Sequence, residues 1–271
     1  MRATLVKHSY PQIILAGVRM INFSGQCALI TGGSRGIGAA TALMFAEAGA
    51  DVAITYAQDG ASAKKMVDKI NSLGRGSDAL RCRVERYGEC QRLTSLVLER
   101  FGRIDILINN AGIWEGGRIG KMSSAEWNKT LRINLTGTFN MCNSIVPLMK
   151  KQKYGRIINI SSTAGQRGEP FHSHYAASKG GIIAFTKSIA PELIKFGIWV
   201  NCVAPGWVKT DMISRVSGMS ARSKEINRSI PRGRAGMACE IAGPILFLAS
   251  NLADHVVGEV LNVNGGGVLC G

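Results

Sequence analysis

Tyr175 and Lys179 stand four residues apart in Tyr175-Ala-Ala-Ser-Lys179, which sets a phenol and an ammonium on one helical face within reach of each other. A neighbouring positive charge favours the phenolate, so the spacing predicts a tyrosine pKa drawn down from about 10 toward the working range. Such a phenol is a general acid for a carbonyl oxygen. The pair alone equally suits an ordinary helix surface, and its companions decide. Ile158-Asn159-Ile160 reads as a strand ending in Ser161-Ser162. There the Ser162 hydroxyl is placed either to bond a substrate oxygen or to cap the turn that follows.

A second chemical feature lies near the start of the chain, in Thr31-Gly32-Gly33-Ser34-Arg35-Gly36-Ile37-Gly38. It follows a short apolar run and opens a helical pattern, where glycines let the backbone approach a pyrophosphate and a helix N-terminus attracts it. The spacing differs from Gly-x-Gly-x-x-Gly. A dinucleotide lacking the 2′-phosphate is usually held by an acidic residue about 20 positions onward. Here the next strand ends Ile54-Thr55-Tyr56-Ala57, and Asp59 comes three residues beyond Tyr56. With Arg35 in the loop to face a phosphate, the pattern favours NADP(H) and leaves NAD(H) as the second choice.

Elements able to position these groups alternate along the chain. Strands are predicted over 27–31, 51–56, 79–84, 104–109, 156–161, 198–203 and 259–263. Helices are predicted over 37–48, 62–73, 88–101, 124–151, 174–196 and 239–250. Short apolar strands alternating with helix-period segments imply a single-domain α/β fold, a Rossmann-type doubly wound parallel sheet flanked by helices. Residues 206–236 break the rhythm and read as a lid over a ligand. The domain is taken as 20–271, and residues 1–19 as a mobile tail or the product of an upstream start at a chain whose natural beginning is Met20.

The 271 residues carry a net charge of +15, with 46% hydrophobic and 19% charged residues, which excludes a disordered chain. The longest charge-free run, 133–149, holds three asparagines and Pro147, too polar for a membrane span. Seven scattered cysteines without Cys-x-x-Cys spacing suggest neither a disulfide framework nor a zinc site, and fit a reducing cytoplasm. Four histidines without paired ligand spacing predict no metal. The positive charge raises nucleic-acid binding as a competing function, but no Lys/Arg-rich helix or interleaved aromatic groove supports it. Trp114 and Trp127 read as core residues, His172 and His174 as solvated loop residues.

Taken together, Thr31-Gly-x-x-x-Gly36-Ile-Gly38, Asn109-Asn110-Ala111-Gly112, Ser162, Tyr175-x-x-x-Lys179 and Pro205-Gly206 resemble the short-chain dehydrogenase/reductase family from about residue 20 to 267. Asn134-Leu-Thr-Gly-Thr-Phe139 and Asn262-Val-Asn-Gly-Gly266 are similar to its 3-oxoacyl-carrier-protein reductases. The resemblance implies a catalytic tetrad of Asn134, Ser162, Tyr175 and Lys179, with Asn134 holding a water that links Lys179 to solvent. It implies cofactor contacts from Gly32, Ser34, Arg35, Gly36, Ile37, Gly38, Tyr56, Asn110, Ala111 and Gly112. Tyr175, Lys179, Pro205, Gly206, Val208 and Thr210 complete that set, the last two meeting the nicotinamide carboxamide. It further implies a homotetramer built on the long helices and the C-terminal strand and helix. It implies as substrate a ketone reduced to a secondary alcohol or, as the alternative, an alcohol, sugar or steroid oxidised by the same groups in reverse. Two positions depart from the family pattern: Arg83-Val84, where an Asp or Asn usually meets the adenine, and Asn264, where an Asp is usual.

Charge refines the substrate. Between Lys209 and Arg234 seven basic residues (209, 215, 222, 224, 228, 232, 234) face two acidic ones (211, 225). A second cluster, Lys150, Lys151, Lys153 and Arg156, precedes the strand that carries Ser162. If both border the entrance, they would steer an anionic handle, such as the phosphopantetheine of an acyl carrier protein or coenzyme A.

Overall fold

A computed structural model describes residues 21–210 and 220–270, so the 1–19 extension and part of the 206–236 lid lie outside the described residues. Seven strands form one parallel sheet in the order β3-β2-β1-β4-β5-β6-β9. They are β1 (Cys27–Ile30), β2 (Asp51–Tyr56), β3 (Ser77–Arg81), β4 (Ile106–Asn109), β5 (Gly155–Ile160), β6 (Ile198–Pro205) and β9 (Val260–Val263). Chain order reverses between β1 and β4, and doubly wound sheets open a ligand crevice at the carboxyl ends of such strands. The central strands β1, β4 and β5 are buried along their whole length and carry mostly apolar side chains. A parallel sheet covered on both faces requires that.

One face is covered by α1 (Gly36–Glu47) and α2 (Gly60–Ser72), together with α9 (Ala238–Ala249). Phe45, Ile54, Ile158 and Ile245 meet in the core beneath them. The other face carries α3 (Tyr87–Phe101), α4 (Ser124–Leu131), α5 (Gly137–Gln152) and α7 (Ser173–Leu193). Leu107, Met141, Met149 and Ile157 form the core there. Caps set several helix starts: Asp59 accepts from Ser62 N at 2.9 Å, and Ser123 with Glu126 forms a capping box. Of the seven free cysteines, Cys27, Cys82, Cys90, Cys142 and Cys202 are buried, while Cys239 and Cys270 are exposed.

Four expectations change. The helix predicted over 124–151 is two helices joined by a π-helical segment, Arg132–Thr136, that holds Asn134. One extra residue per turn re-aims the side chains there, which a 3.6-residue period does not reveal. The third strand lies at 77–81, because residues 82–84 leave the sheet: the Glu89 carboxylate takes Arg83 N at 2.9 Å, and Asn140 Nδ2 takes Val84 O at 2.9 Å. A short helix unread in the sequence, α6 (Thr163–Arg167), follows β5 directly. Within 206–236, β7 (Val208–Lys209) pairs in parallel with β8 (Gly236–Met237), and α8 (Ser220–Arg228) lies between them in sequence.

Candidate active site

At the carboxyl ends of β1 and β4 the loops are tied to each other by Thr31. Its Oγ1 accepts from Asn110 N (2.9 Å) and Ala111 N (3.0 Å), and Asn110 Nδ2 donates back to the carbonyls of Thr31 (2.9 Å) and Gly32 (3.1 Å). Gly32 N and Gly33 N bond Thr55 on β2. Close approach explains the glycines: a Cβ on Gly33 would stand 2.6 Å from Ile54 Cγ2, and one on Gly38 would run into the Gly32 carbonyl. Gly36 has φ +58°. At the start of α1, Arg35 makes no side-chain cap and the first turn holds no acid. The helix therefore presents N–H groups without a side-chain acceptor, and the cradle fits a pyrophosphate.

At the end of β2 the only nearby carboxylate is engaged. Asp59 caps α2, and the bonds from Ser62 hold its carboxyl below the usual range, with the neighbouring Arg35 charge contributing. The Tyr56 ring packs on the first turn of α2, 3.3 Å from where a Cβ on Gly60 would be. Arg83, at the position in question for adenine, is gripped by Glu89 through Nε (2.9 Å) and Nη2 (2.6 Å). Asn264 keeps a structural part in its turn, accepting from Gly266 N (3.0 Å) and donating to Val268 O (2.8 Å).

The cleft itself opens beside these loops. From the predicted set it is lined by Ile37, Asn110, Gly112, Ser162, Tyr175, Lys179, Pro205, Gly206, Val208 and Thr210. Gly32, Ser34, Arg35, Gly36, Gly38, Tyr56 and Ala111 belong to the adjoining loop side. Thr210 reaches that loop too, 3.4 Å from where a Cβ on Gly36 would be. Ser162 caps α6, its oxygen accepting from Ala164 N at 3.1 Å, while its hydroxyl lies toward the Tyr175 phenol on the cleft wall. The capping reading of this serine is therefore observed. Lys179 is buried and donates to Ile160 O at 2.7 Å. Burial lowers its pKa to about 8.

Tyr175 departs from expectation. Burial pushes its phenol up to about 12, against the bond from Ser162 that lowers it. The Lys179 ammonium, aimed at Ile160 O and 5.8 Å from the phenol ring centroid, does not reverse this. Asn134 does not line the cleft. Its amide clamps two elements, accepting from Ile113 N (2.8 Å) and donating to Ile113 O and Ser178 Oγ (both 3.0 Å), while its carbonyl takes the Thr138 hydroxyl (2.8 Å). These bonds tie the π-helical segment to the loop after β4 and to the turn of α7 that carries Lys179. Asn109 turns inward, donating to Asn159 Oδ1 at 2.9 Å, and Asn159 donates to Thr186 Oγ1 at 2.9 Å.

Trp114, read from the sequence as a core residue, instead lines the cleft half-buried, and Trp207, Arg167 and Glu169, which the sequence reading passed over, line it too. Proximity of Trp114 to Gly112 was the available signal. His174 is buried rather than solvated, and burial lowers its pKa. The Lys150–Arg156 cluster is at the amino ends of the strands, away from the cleft, since β5 runs roughly 20 Å from Arg156 to Ser162. Arg156 is itself buried, pairs with Asp254 and stacks 3.9 Å from the Trp199 ring centroid. Among the described residues no three His, Cys, Asp or Glu side chains gather as a metal site, and no helix is long and apolar enough to cross a membrane.

A family model described as enoyl-(acyl-carrier-protein) reductase matches residues 32–267. The chain is 41% identical over 251 residues to a 3-oxoacyl-(acyl-carrier-protein) reductase of Synechocystis sp., covering 92% of this chain and 100% of that protein. It is 39% identical over 246 residues to the FabG 3-oxoacyl-(acyl-carrier-protein) reductase of Escherichia coli, covering 91% and 98%. The crystal structure of gox2181 superposes with a TM-score of 0.87 at 32% identity, over 91% of this chain and 96% of that one. The family match takes in the strands from β2 to β9, the glycine loop from Gly32 and both walls of the cleft, and the chain is a member of the short-chain dehydrogenase/reductase family of nicotinamide-dependent oxidoreductases.

Proposed function

We propose that the protein reduces a ketone to a secondary alcohol with NADPH, Tyr175 acting as general acid. What carries this reading is the convergence of Ser162, Tyr175 and Lys179 on one wall of a cleft that begins at the glycine cradle. Arg35 beside the cradle, and an Asp59 carboxylate already engaged at α2, support a 2′-phosphate over a free ribose hydroxyl. The bound reduced nicotinamide supplies the hydride to the carbonyl carbon. With a ketone in the cleft, the Ser162 hydroxyl turns from the Tyr175 phenol to donate a hydrogen bond to the carbonyl oxygen and orients it. As charge develops there, the phenol of Tyr175 gives up its proton to that oxygen. With a phenol near 12 and an ammonium near 8, proton return from Lys179 to the phenolate is downhill, and solvent then restores the lysine.

For the substrate, the names of the relatives support a 3-oxoacyl thioester carried on an acyl carrier protein, and coenzyme A would present the same phosphopantetheine handle. Arg167 supports an anionic handle, because it lines the cleft with no ion pair among the described residues. Arg234 does not, since Glu240 binds it at 2.6 Å, whereas Lys209, Lys224, Arg228 and Arg232 are exposed. Arg215 and the side chain of Arg222 lie outside the described residues. Further parts of the reading are a homotetramer, which would cover the exposed Phe139 on α5, and a reducing cytoplasm that keeps the seven cysteines free.

The test is nicotinamide absorbance with 3-oxoacyl thioesters and neutral ketones at rising salt, in the parent and in Tyr175→Phe. The substitution is expected to lower kcat by about 10²- to 10⁴-fold while dinucleotide affinity stays within twofold. The kcat/KM for the anionic thioester is expected to fall with salt. Turnover of Tyr175→Phe within tenfold of the parent would rule out the general-acid role, and salt-independent use of all ketones would remove the anionic handle.

A further inference from the structure

Two tryptophans share the cleft with the proton donors, and neither is a core residue: both are half-buried. The plane of Trp114 is fixed from three sides. His172 stacks on one face with centroids 4.5 Å apart and planes 6° from parallel. The indole N–H donates to Glu169 Oε2 at 3.3 Å, and Trp207 stands edge-on at 5.9 Å and 86°. His172 is held in turn, its Nδ1 lying 3.0 Å from Pro170 O and 3.7 Å from Glu169 Oε1. The loop beneath is pinned by the bond from Gly117 N to Phe171 O at 2.7 Å. With His172 on one face, Trp114 can offer the cleft only its other face and its edges.

Two indoles at right angles, one braced by a hydrogen bond and a stacked ring, make a rigid corner that discriminates by shape. An alkyl chain gains contact area there whatever its rotation about its own axis. A flat ring gains more, since stacked and edge-on aromatic pairs attract beyond the area they bury, and a corner fixed beforehand loses little freedom on binding. From this we propose that Trp114 and Trp207 form a ring-reading subsite, and that the favoured ketone carries an aromatic ring a few bonds beyond its carbonyl. The proposal rests on the ketone-reductase reading for its chemistry, but the subsite can be tested without turnover.

The experiment compares N-acetylcysteamine thioesters of 3-oxo-5-phenylpentanoate and 3-oxooctanoate, whose ketones are equally unconjugated, using the full chain and NADPH. The expected kcat/KM preference for the phenyl compound is about tenfold. Trp114→Ala should collapse it toward unity, chiefly through KM, and Trp114→Phe should retain most of it. In parallel, 3-hydroxy-5-phenylpentanoate is titrated against intrinsic fluorescence of the parent and against ligand-observed NMR signals with both variants. Ring binding lost in Trp114→Ala and kept in Trp114→Phe supports the subsite even if neither thioester is reduced, an outcome that would sink the reductase reading alone. Equal kcat/KM for the two thioesters in the parent would overturn the subsite. So would an equal loss for both in Trp114→Ala, which would mark the tryptophan as a brace for its loop.

Discussion

Lys179 carries a charge in a place that resists it: the side chain is buried, and the Ile160 carbonyl is its hydrogen-bond acceptor. Two pH effects follow from its pKa near 8. Reduction is expected to slow as pH rises through about 8, because the ammonium that returns the proton to Tyr175 is lost. Stability moves the other way. Between about 8 and 10.5 the unfolded chain holds a proton that the native lysine has released, so native stability rises with pH across that window. Tyr175 has the opposite sense, its contribution fading between about 10 and 12 as the unfolded phenol ionises first. Thermal melts of the parent against Lys179→Met should therefore differ most below pH 8, with the variant the more stable by a few degrees and inactive. An unchanged melting difference from pH 7 to 10.5 would contradict the buried-charge account. The sequence made Ser162, Tyr175 and Lys179 legible because their chemistry is written in residue type and short spacing. It misjudged the phenol because desolvation depends on what folds over it. Trp114, Trp207 and the Arg167–Glu169 segment at the end of α6 are far apart in sequence, and only the fold brings them together.

Element boundaries were readable wherever period and punctuation agreed. The buried parallel strands β1, β4 and β5 showed as apolar runs, and Gly102 ended α3 in the left-handed conformation. The π-helical segment and α6 escaped for a common reason, that each is shorter than the window over which hydrophobic period is measured. Yet both bear on the site, one holding Asn134 and the other beginning at Ser162. The packing of α6 on α7 has no tolerance: a Cβ on Gly165 would lie 2.5 Å from the carbonyl carbon of Lys179 and 2.6 Å from Gly180 N. Gly165→Ala is expected to push the helices apart at a cost of about 1–3 kcal/mol and to weaken catalysis by shifting Ser162 against Lys179. A melting temperature and a kcat both equal to the parent's would show that the contact yields more easily than the packing implies.

For the molecule as a whole, the crevice lies where chain order reverses, so a dinucleotide laid from the cradle to Tyr175 would tie β1, β4, β5 and β6 together. Binding to the native state alone adds about 2.7 kcal/mol at a hundred times Kd, worth roughly 5–10 °C in a domain of this size. NADPH is expected to raise the melting temperature more than NADH at equal concentration, and Arg35→Ala to erase the difference. Equal shifts with both cofactors in the parent would remove the 2′-phosphate preference. The distribution of thiols turns the same sheet into a clock for its own opening. Cys27 and Cys202 sit on β1 and β6, Cys142 on α5 and Cys90 on α3, all buried, whereas Cys239 and Cys270 face solvent. Burial raises the Cys27, Cys142 and Cys202 thiols, so a maleimide finds neither access nor thiolate there until the chain unfolds. Mass spectrometry should show two adducts forming within minutes and the remaining five appearing only at the rate at which the sheet comes apart, with saturating NADPH slowing the second group and leaving the first untouched.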